Sequence, residues 1–366
     1  MPSTPSQATR DDPGHLVPTF HSLVLSILLY MALSRLSSFL PSSLLATSLP
    51  SALLASVPAA VMLSKFFRPV RYYVRLTTFL LGLATNSIWG LIVAVSMAAV
   101  GKKGDVNYVV ARSFWKSTSG LLGIAFRVEG EEHLDLEKRK REGQGPVVMV
   151  GNHQTMLDIL YLGRIFPRRA SIMAKASLKY MPLLGQWMYL SDAVFVNRSK
   201  REDAVKVMER VGKEMKRKDL SLFIFPEGTR SASPVPSLLP LKKGAFHLAV
   251  QAGVPIVPIV CENYAHVYHS RKGRFDGGEV VIRVLPPIST TSYDSSSESI
   301  AALVEKTSEA MLSAVEDLGR QRQAALGNSP RAAARALEGA DAGEGERTPL
   351  LSGTGPTGEG VVGERE

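Results

Sequence analysis

"PVVMVGNHQTMLDIL", residues 146–160, sets an uninterrupted apolar run against a polar loop and the start of a second apolar stretch. The run at 146–150 reads as a short strand buried on both faces, since a half-solvated strand would alternate. The loop after it carries His153 and, five positions on, Asp158. On one continuous helix that spacing would leave the side chains roughly 140° apart and out of easy reach. With His153 in the loop and Asp158 in the first helical turn, the histidine can fold back over the helix start. The carboxylate then fixes the ring tautomer and leaves the other nitrogen free as a base. Such a pair, without a protein nucleophile, would act on a substrate hydroxyl. The same residues also describe a capped helix with a solvated histidine, and the pair alone is a weak signal.

Outward from this stretch, further strand-like runs occur at 193–196, 220–225, 254–260 and 279–285. Between them, 199–218 repeats Ala204, Met208, Val211 and Met215 at helical spacing, with charges on the other faces. Residues 242–253 read as a helix closed by Gly253, and 297–318 as another with Ile300, Leu303, Val304, Met311, Val315 and Leu318 on one face. Strands alternating with helices predict an α/β domain with a mostly parallel central sheet flanked by helices.

Two of the strands end in charged turns. "FIFPEGTRS" (223–231) places Glu227, Gly228, Thr229 and Arg230 where open α/β sheets present ligand-binding loops, and the glycine permits a tight turn or a close approach. An ordinary turn with a surface ion pair is the alternative. "VFVNRSKRE" (194–202) puts Arg198 just past a strand, suited to a bidentate grip on phosphate or to a solvated helix-start cluster. "HVYH" (266–269) has metal-like spacing without a third ligand, and "EKRKRE" (137–142) reads as a solvated charge run. No phosphate-loop or dinucleotide fingerprint is found.

The chain has 366 residues and a formal net charge of +10, with a pI near 9.6, which favours anionic partners. Its one cysteine, Cys261, excludes an intramolecular disulfide and a cysteine-rich metal site, and reads as a buried thiol. Three apolar stretches, 17–34, 43–64 and 77–100, precede the domain. The third has no charge between Arg75 and Lys102, and the second carries Pro50 and Pro58. About 20 apolar residues cross a bilayer core, so the region predicts a transmembrane anchor with at least two spans. Residues 104–125, with Phe126 just beyond, predict an amphipathic connector near the membrane interface. From about 325 the periodicity ends and the composition predicts disorder. "ERTPLL" (346–351) has the form of an acidic dileucine sorting signal, and an incidental match is its other reading.

In order and spacing, "NHQTMLD" (152–158), "VFVNR" (194–198), "FPEGTRS" (225–231) and "VPIVPIV" (254–260) resemble the four blocks of the glycerolipid acyltransferase family. Together with "AKASLKYMPLLGQW" (174–187), they are most similar to its lysophosphatidic acid acyltransferases of fungal type, over roughly 75–320. Hydropathy, composition and the resemblance together predict an N-terminal tail (1–15), a membrane-anchoring region (16–103), an acyltransferase domain (104–320) and a disordered tail (321–366). It implies acyl transfer from acyl-CoA to the sn-2 hydroxyl of 1-acyl-sn-glycerol 3-phosphate, with acyl-CoA as co-substrate and no cofactor or metal. His153 would be the base and Asp158 its orienter. Arg198 would bind the acceptor phosphate, Glu227, Gly228, Thr229 and Arg230 would shape the acceptor site, and Pro258 would help form the acyl-CoA side. The implied partners are lysophosphatidic acid, acyl-CoA and a lipid bilayer, not nucleic acid. The implied location is the endoplasmic reticulum membrane or the lipid droplet. One departure from the family pattern is Asp192 or Ala193 where the second block usually opens with glycine, which leaves open another lysophospholipid or glycerol 3-phosphate as acceptor. A non-enzymatic scaffold that binds anionic lipid is the rival of a different class.

Overall fold

Seven strands form the main sheet of the protein, seen in a computed structural model that describes residues 49–196 and 201–327, with backbone alone for 49–56, 201–207 and 327. They are β1 (Ile124–Glu129), β2 (Val148–Gly151), β3 (Ala170–Lys175), β4 (Val194–Val196), β5 (Ser221–Ile224), β6 (Ile256–Cys261) and β9 (Gly278–Val284). Their spatial order is β1-β9-β6-β2-β5-β3-β4, and β7 (Tyr268–His269) with β8 (Arg274–Phe275) makes a separate hairpin. All neighbours in the main sheet are parallel except β6 and β9. β2 lies inside it between β6 and β5, which is why all its residues are buried and its apolar run does not alternate.

The helices are α1 (Leu49–Ser64), α2 (Arg68–Ala99), α3 (Val106–Leu122), α4 (Leu136–Arg141), α5 (Asp158–Ile165), α6 (Leu184–Leu190), α7 (Arg201–Lys218), α8 (Gly244–Ala252) and α9 (Ser297–Gly327). Alternate residues of the inner strands face two separate cores. Val148, Val150, Leu222, Ile224, Ile256 and Val260 pack toward Val211 of α7, Phe246 of α8 and Ile300, Met311 and Val315 of α9. Met149, Phe223, Val257, Ile259 and Cys261 pack toward Phe79 of α2, Phe114 of α3 and Leu160 and Tyr161 of α5. The unit that contains this sheet extends to Gly319. The second unit begins at Arg320, and its described part, to Gly327, is helical.

The five strand-like runs appear as β2, β4, β5, β6 and β9, and the three helical patterns as α7, α8 and α9. β1 and β3 were not legible. "IAFRVE" carries two charges and lies at the sheet edge, and "ASIMAK" has one β-branched residue. The connector expected to be amphipathic is α3, which packs one face into the core. Val106, Val110, Phe114 and Leu122 of α3 are buried, and its Asn107 donates to the carbonyls of Ala170 (3.2 Å) and Ser191 (3.1 Å). Its polar residues read as a solvent face because their partners lie far along the chain. α3 crosses α5 at Gly163, where a Cβ would stand 2.6 Å from the Ala111 carbonyl oxygen and 2.7 Å from Trp115 Cβ.

Of the three apolar stretches, 17–34 lies outside the described residues and 43–64 is described from Leu49, as α1 with Pro58 inside it. The third falls within α2 up to Ala99, with Val100 as its C-cap. Among the described residues α2 is the helix long and apolar enough to cross a membrane. One side of it buries Phe79, Gly82, Asn86, Gly90, Val93 and Ala94, while Leu80, Ile88, Ile92 and Val95 are exposed on the other.

Candidate active site

β2 stops at Gly151 because the chain must turn away there. A Cβ on Gly151 would meet Phe223 Cζ at 2.6 Å and the Tyr161 hydroxyl at 3.1 Å. Asn152 then ties the loop to β6. Its Nδ2 donates to the Cys261 carbonyl at 2.9 Å, and the Cys261 N–H donates to its Oδ1 at 2.8 Å. His153 follows in the loop, outside the helix, and Asp158 is the first residue of α5. The condition set by the spacing is therefore met: His153 Nδ1 lies 2.6 Å from Asp158 Oδ2.

Asp158 has no solvent contact, yet its carboxylate is fully partnered. Besides His153, Oδ2 accepts from the N–H groups of Gln154 (2.6 Å) and Thr155 (3.0 Å), and Oδ1 accepts from the Tyr264 hydroxyl. The start of α5 adds a favourable dipole for negative charge. These donors fix Asp158 as an acceptor, so His153 Nδ1 carries the proton and Nε2 is left as the basic nitrogen. The imidazole stacks on Phe225, centroids 4.0 Å apart at 17°, and 18% of the side chain is exposed. The ring is clamped and still reachable.

Glu227 holds the same loop from the other side. Its Oε1 accepts the His153 N–H at 2.6 Å and its Oε2 the Leu239 N–H at 3.2 Å. Burial raises its carboxyl to about 7, against the pull of those two N–H donors and with a further push from Asp158. Gly228 turns with φ 71°, and a Cβ there would run into the Lys242 side chain. Beyond it Thr229 and Arg230 are exposed, and the chain returns alongside the histidine loop. Ser231 N–H donates to the His153 carbonyl at 2.9 Å and Ala232 N–H to the Gln154 carbonyl at 3.1 Å. The first and third sequence blocks thus form one paired structure at the carboxyl ends of β2 and β5. Cys261 is buried beside it. Burial, then the charges of Asp158 and Glu262, push its thiol far above the usual range, so it stays protonated and is no nucleophile.

A family model described as Acyltransferase matches residues 125–262, from β1 to the end of β6, and so includes both loops. An uncharacterized acyltransferase of Schizosaccharomyces pombe is 39% identical over 267 residues, covering 71% of this chain and 92% of that protein. The chain belongs to the acyltransferase family. The 1-acyl-sn-glycerol-3-phosphate acyltransferase of Saccharomyces cerevisiae is 37% identical to it over 248 residues, 68% of this chain and 78% of that one. The human alpha form of the same enzyme is 34% identical over 227 residues, 62% and 76% of the two chains. In fold, the acyltransferase resembles the crystal structure of the 1-acyl-sn-glycerophosphate (LPA) acyltransferase PlsC from Thermotoga maritima. The TM-score is 0.55 at 22% identity, over 69% of this chain and 98% of that chain.

Among the other candidate residues of the acyltransferase, Pro258 is described and faces away from the histidine loop. Arg198 lies outside the described residues, two beyond the end of β4, itself the far edge strand. Pro258 sits inside β6 opposite Val150, between Ile256 and Val260 in alternation, and so on the α8 side of the sheet. Asp192 adopts φ 60°, the left-handed conformation a glycine takes freely. Its carboxylate pairs with Lys218 at 3.1 Å, away from the histidine loop. In "HVYH", His269 Nδ1 accepts the Lys272 N–H at 3.3 Å and His266 Nε2 lies 3.4 Å from the Glu279 carbonyl. Among the described residues no three such groups are placed to hold a metal.

Besides Gln154, two residues in contact with Asp158, Tyr264 and Thr155, escaped the sequence reading. Burial, then the charges of Asp158 and Cys261, push the Tyr264 hydroxyl far above its usual pKa. It therefore stays a proton donor to Asp158. Thr155 supports it: its N–H donates to that hydroxyl at 3.1 Å and its own hydroxyl lies 2.9 Å away. The available signal was position, since Tyr264 follows three residues after a strand that flanks β2.

Proposed function

We propose that the enzyme transfers a fatty acyl group from acyl-CoA to the sn-2 hydroxyl of 1-acyl-sn-glycerol 3-phosphate, giving phosphatidic acid and CoA. The observation that carries this reading is the His153–Asp158 contact at 2.6 Å, with no protein nucleophile bonded to the ring among the described residues. A base held in one tautomer, with no serine hydroxyl or thiolate bonded to its ring among the described residues, suits a hydroxyl that arrives with the substrate. The names of the yeast and human relatives support the acceptor.

In this mechanism Nε2 of His153 takes the sn-2 proton as the oxygen forms its bond to the thioester carbonyl carbon. Asp158 stabilises the imidazolium through Nδ1. Collapse of the tetrahedral intermediate breaks the carbon–sulfur bond, and the CoA thiolate leaves with the proton returned from Nε2. Arg198 and Arg230 bind acceptor phosphate in this reading. Glu227, Gly228 and Thr229 shape the loop that presents it. The position of Pro258 inside the sheet suits a role in fixing β6 rather than contact with acyl-CoA. Both substrates are amphiphiles, and the exposed apolar side of α2 suits an enzyme held at a membrane, here assigned to the endoplasmic reticulum.

The test is thiol release by the purified enzyme in detergent, over lysophosphatidate, other lysophospholipids and glycerol 3-phosphate. Lysophosphatidate is expected to give the highest kcat/KM, with the new ester at sn-2. Preference for another acceptor, or thiol release that needs no acceptor, would overturn the assignment.

A further inference from the structure

The "HVYHSRKGRF" stretch, 266–275, has no task in the mechanism above. It forms the β7–β8 hairpin, and its surroundings single it out. A cleft lies between this hairpin and the histidine loop, lined by Thr155, Ser233, Tyr268, His269, Ser270 and Arg271 among others, with no carboxylate among the described residues of its wall. Gln154 and Thr155 in that wall are the residues directly after His153. Beside them lies Ala232, held at φ 46° with its N–H bonded to the Gln154 carbonyl at 3.1 Å.

The cations here are not matched by acids. Among the described residues no carboxylate forms an ion pair with Arg230, Arg271 or Lys272, although Asp276 close by pairs with Arg71 at 2.8 Å. Arg230 reaches the hairpin electrostatically. It pulls against the burial and the Tyr72 contact that raise the Tyr268 hydroxyl to about 12. Because His269 accepts the Lys272 N–H through Nδ1, its neutral form carries the proton on Nε2 as a donor. A hydroxyl, an imidazole N–H and guanidinium groups without an acid partner are the donor set that recognises a phosphate.

The hairpin is also tied to the start of α2. Tyr72 stacks on Tyr268 at 6.4 Å, and the Arg71–Asp276 pair closes the same junction. The cleft therefore stands between the basic end of an apolar helix and the histidine loop, where a lipid's polar head would sit if its chain lay along that helix.

We propose that this cleft is a substrate-phosphate subsite, formed by Arg271, His269 and Ser270 on the hairpin against Gln154 and Thr155, the residues directly after His153. The inference rests on the acyltransferase reading and adds residues to it. The phosphate belongs either to the lipid acceptor or to CoA, and closeness to the histidine loop favours the acceptor.

Steady-state kinetics of the full chain decide it, with Arg271→Ala, Arg271→Glu and Arg271→Lys assayed against lysophosphatidate and acyl-CoA in turn. Two probes without the relevant phosphate are included: 1-monoacylglycerol as acceptor and acyl-pantetheine as donor. Arg271→Ala is expected to raise KM for lysophosphatidate about tenfold with little change in kcat, and Arg271→Glu to raise it further. Arg271→Lys is expected to recover part of the loss, and KM for monoacylglycerol to stay unchanged. A rise confined to acyl-CoA and absent with acyl-pantetheine would keep the subsite and give it to CoA. Unchanged KM for both substrates, or an equal loss with the phosphate-free probes, overturns the proposal. If the wild-type enzyme acylates no acceptor, the reading beneath it fails instead.

Discussion

The base role proposed for His153 depends on the position of Asp158, and Asp158 is held by Gln154, Thr155 and Tyr264. Tyr264→Phe removes one of these donors without opening a cavity. It is expected to lower kcat about tenfold with KM unchanged, to shift the acidic limb of the kcat profile, and to cost about 1 kcal/mol of stability. A KM effect, or an unmoved pH profile, would reduce Tyr264 to a packing residue. Glu227 makes a separate claim about pH. Its carboxyl titrates near 7 when folded, above the ordinary glutamate value in the unfolded chain. The stability it contributes is therefore complete below about 4.5 and lost as pH rises through about 7, on the order of 3 kcal/mol in all. Denaturant midpoints measured from pH 4.5 to 8 are expected to fall in the wild type and to flatten in Glu227→Gln. An identical slope in both would refute the assignment.

Among the elements, tight crossings carry the architecture of one face. α3 and α5 approach at Gly163, where backbone and Trp115 leave no space for a side chain. Gly163→Val is expected to destabilise the enzyme by about 1–3 kcal/mol, read as a lower midpoint of unfolding in detergent. An unchanged midpoint would mean that the helices separate there without penalty. Position within the sheet explains what was legible. Strands β2, β5 and β6 lie inside the sheet, so burial on both faces wrote itself into them as near-continuous apolar runs. β1 at the edge and α3 carry polar residues whose partners are tertiary: Asn107 meets Ala170 and Ser191, and Arg283 bonds Glu129 at 2.7 Å. Local periodicity has no access to such pairs.

At the scale of the whole molecule, three distant segments converge on one loop. Residues 152–158, Glu227 with 231–232, and Tyr264 meet at the carboxyl ends of β2, β5 and β6. The His153–Asp158 geometry could be framed in advance as a condition on the loop because both residues lie within one turn of chain. The stacking of Phe225 and the bond from Tyr264 could not, since they depend on how β5 and β6 flank β2. Pro258 shows the reverse case, a residue close to the site along the sheet whose alternation turns it to the other face. The most direct test of the account is acyl transfer to lysophosphatidate by His153→Ala, with folding verified by its unfolding midpoint. The expected result is a loss of kcat of about 10³-fold or more in a chain that unfolds like the wild type. Near-normal turnover by a folded His153→Ala enzyme would contradict it.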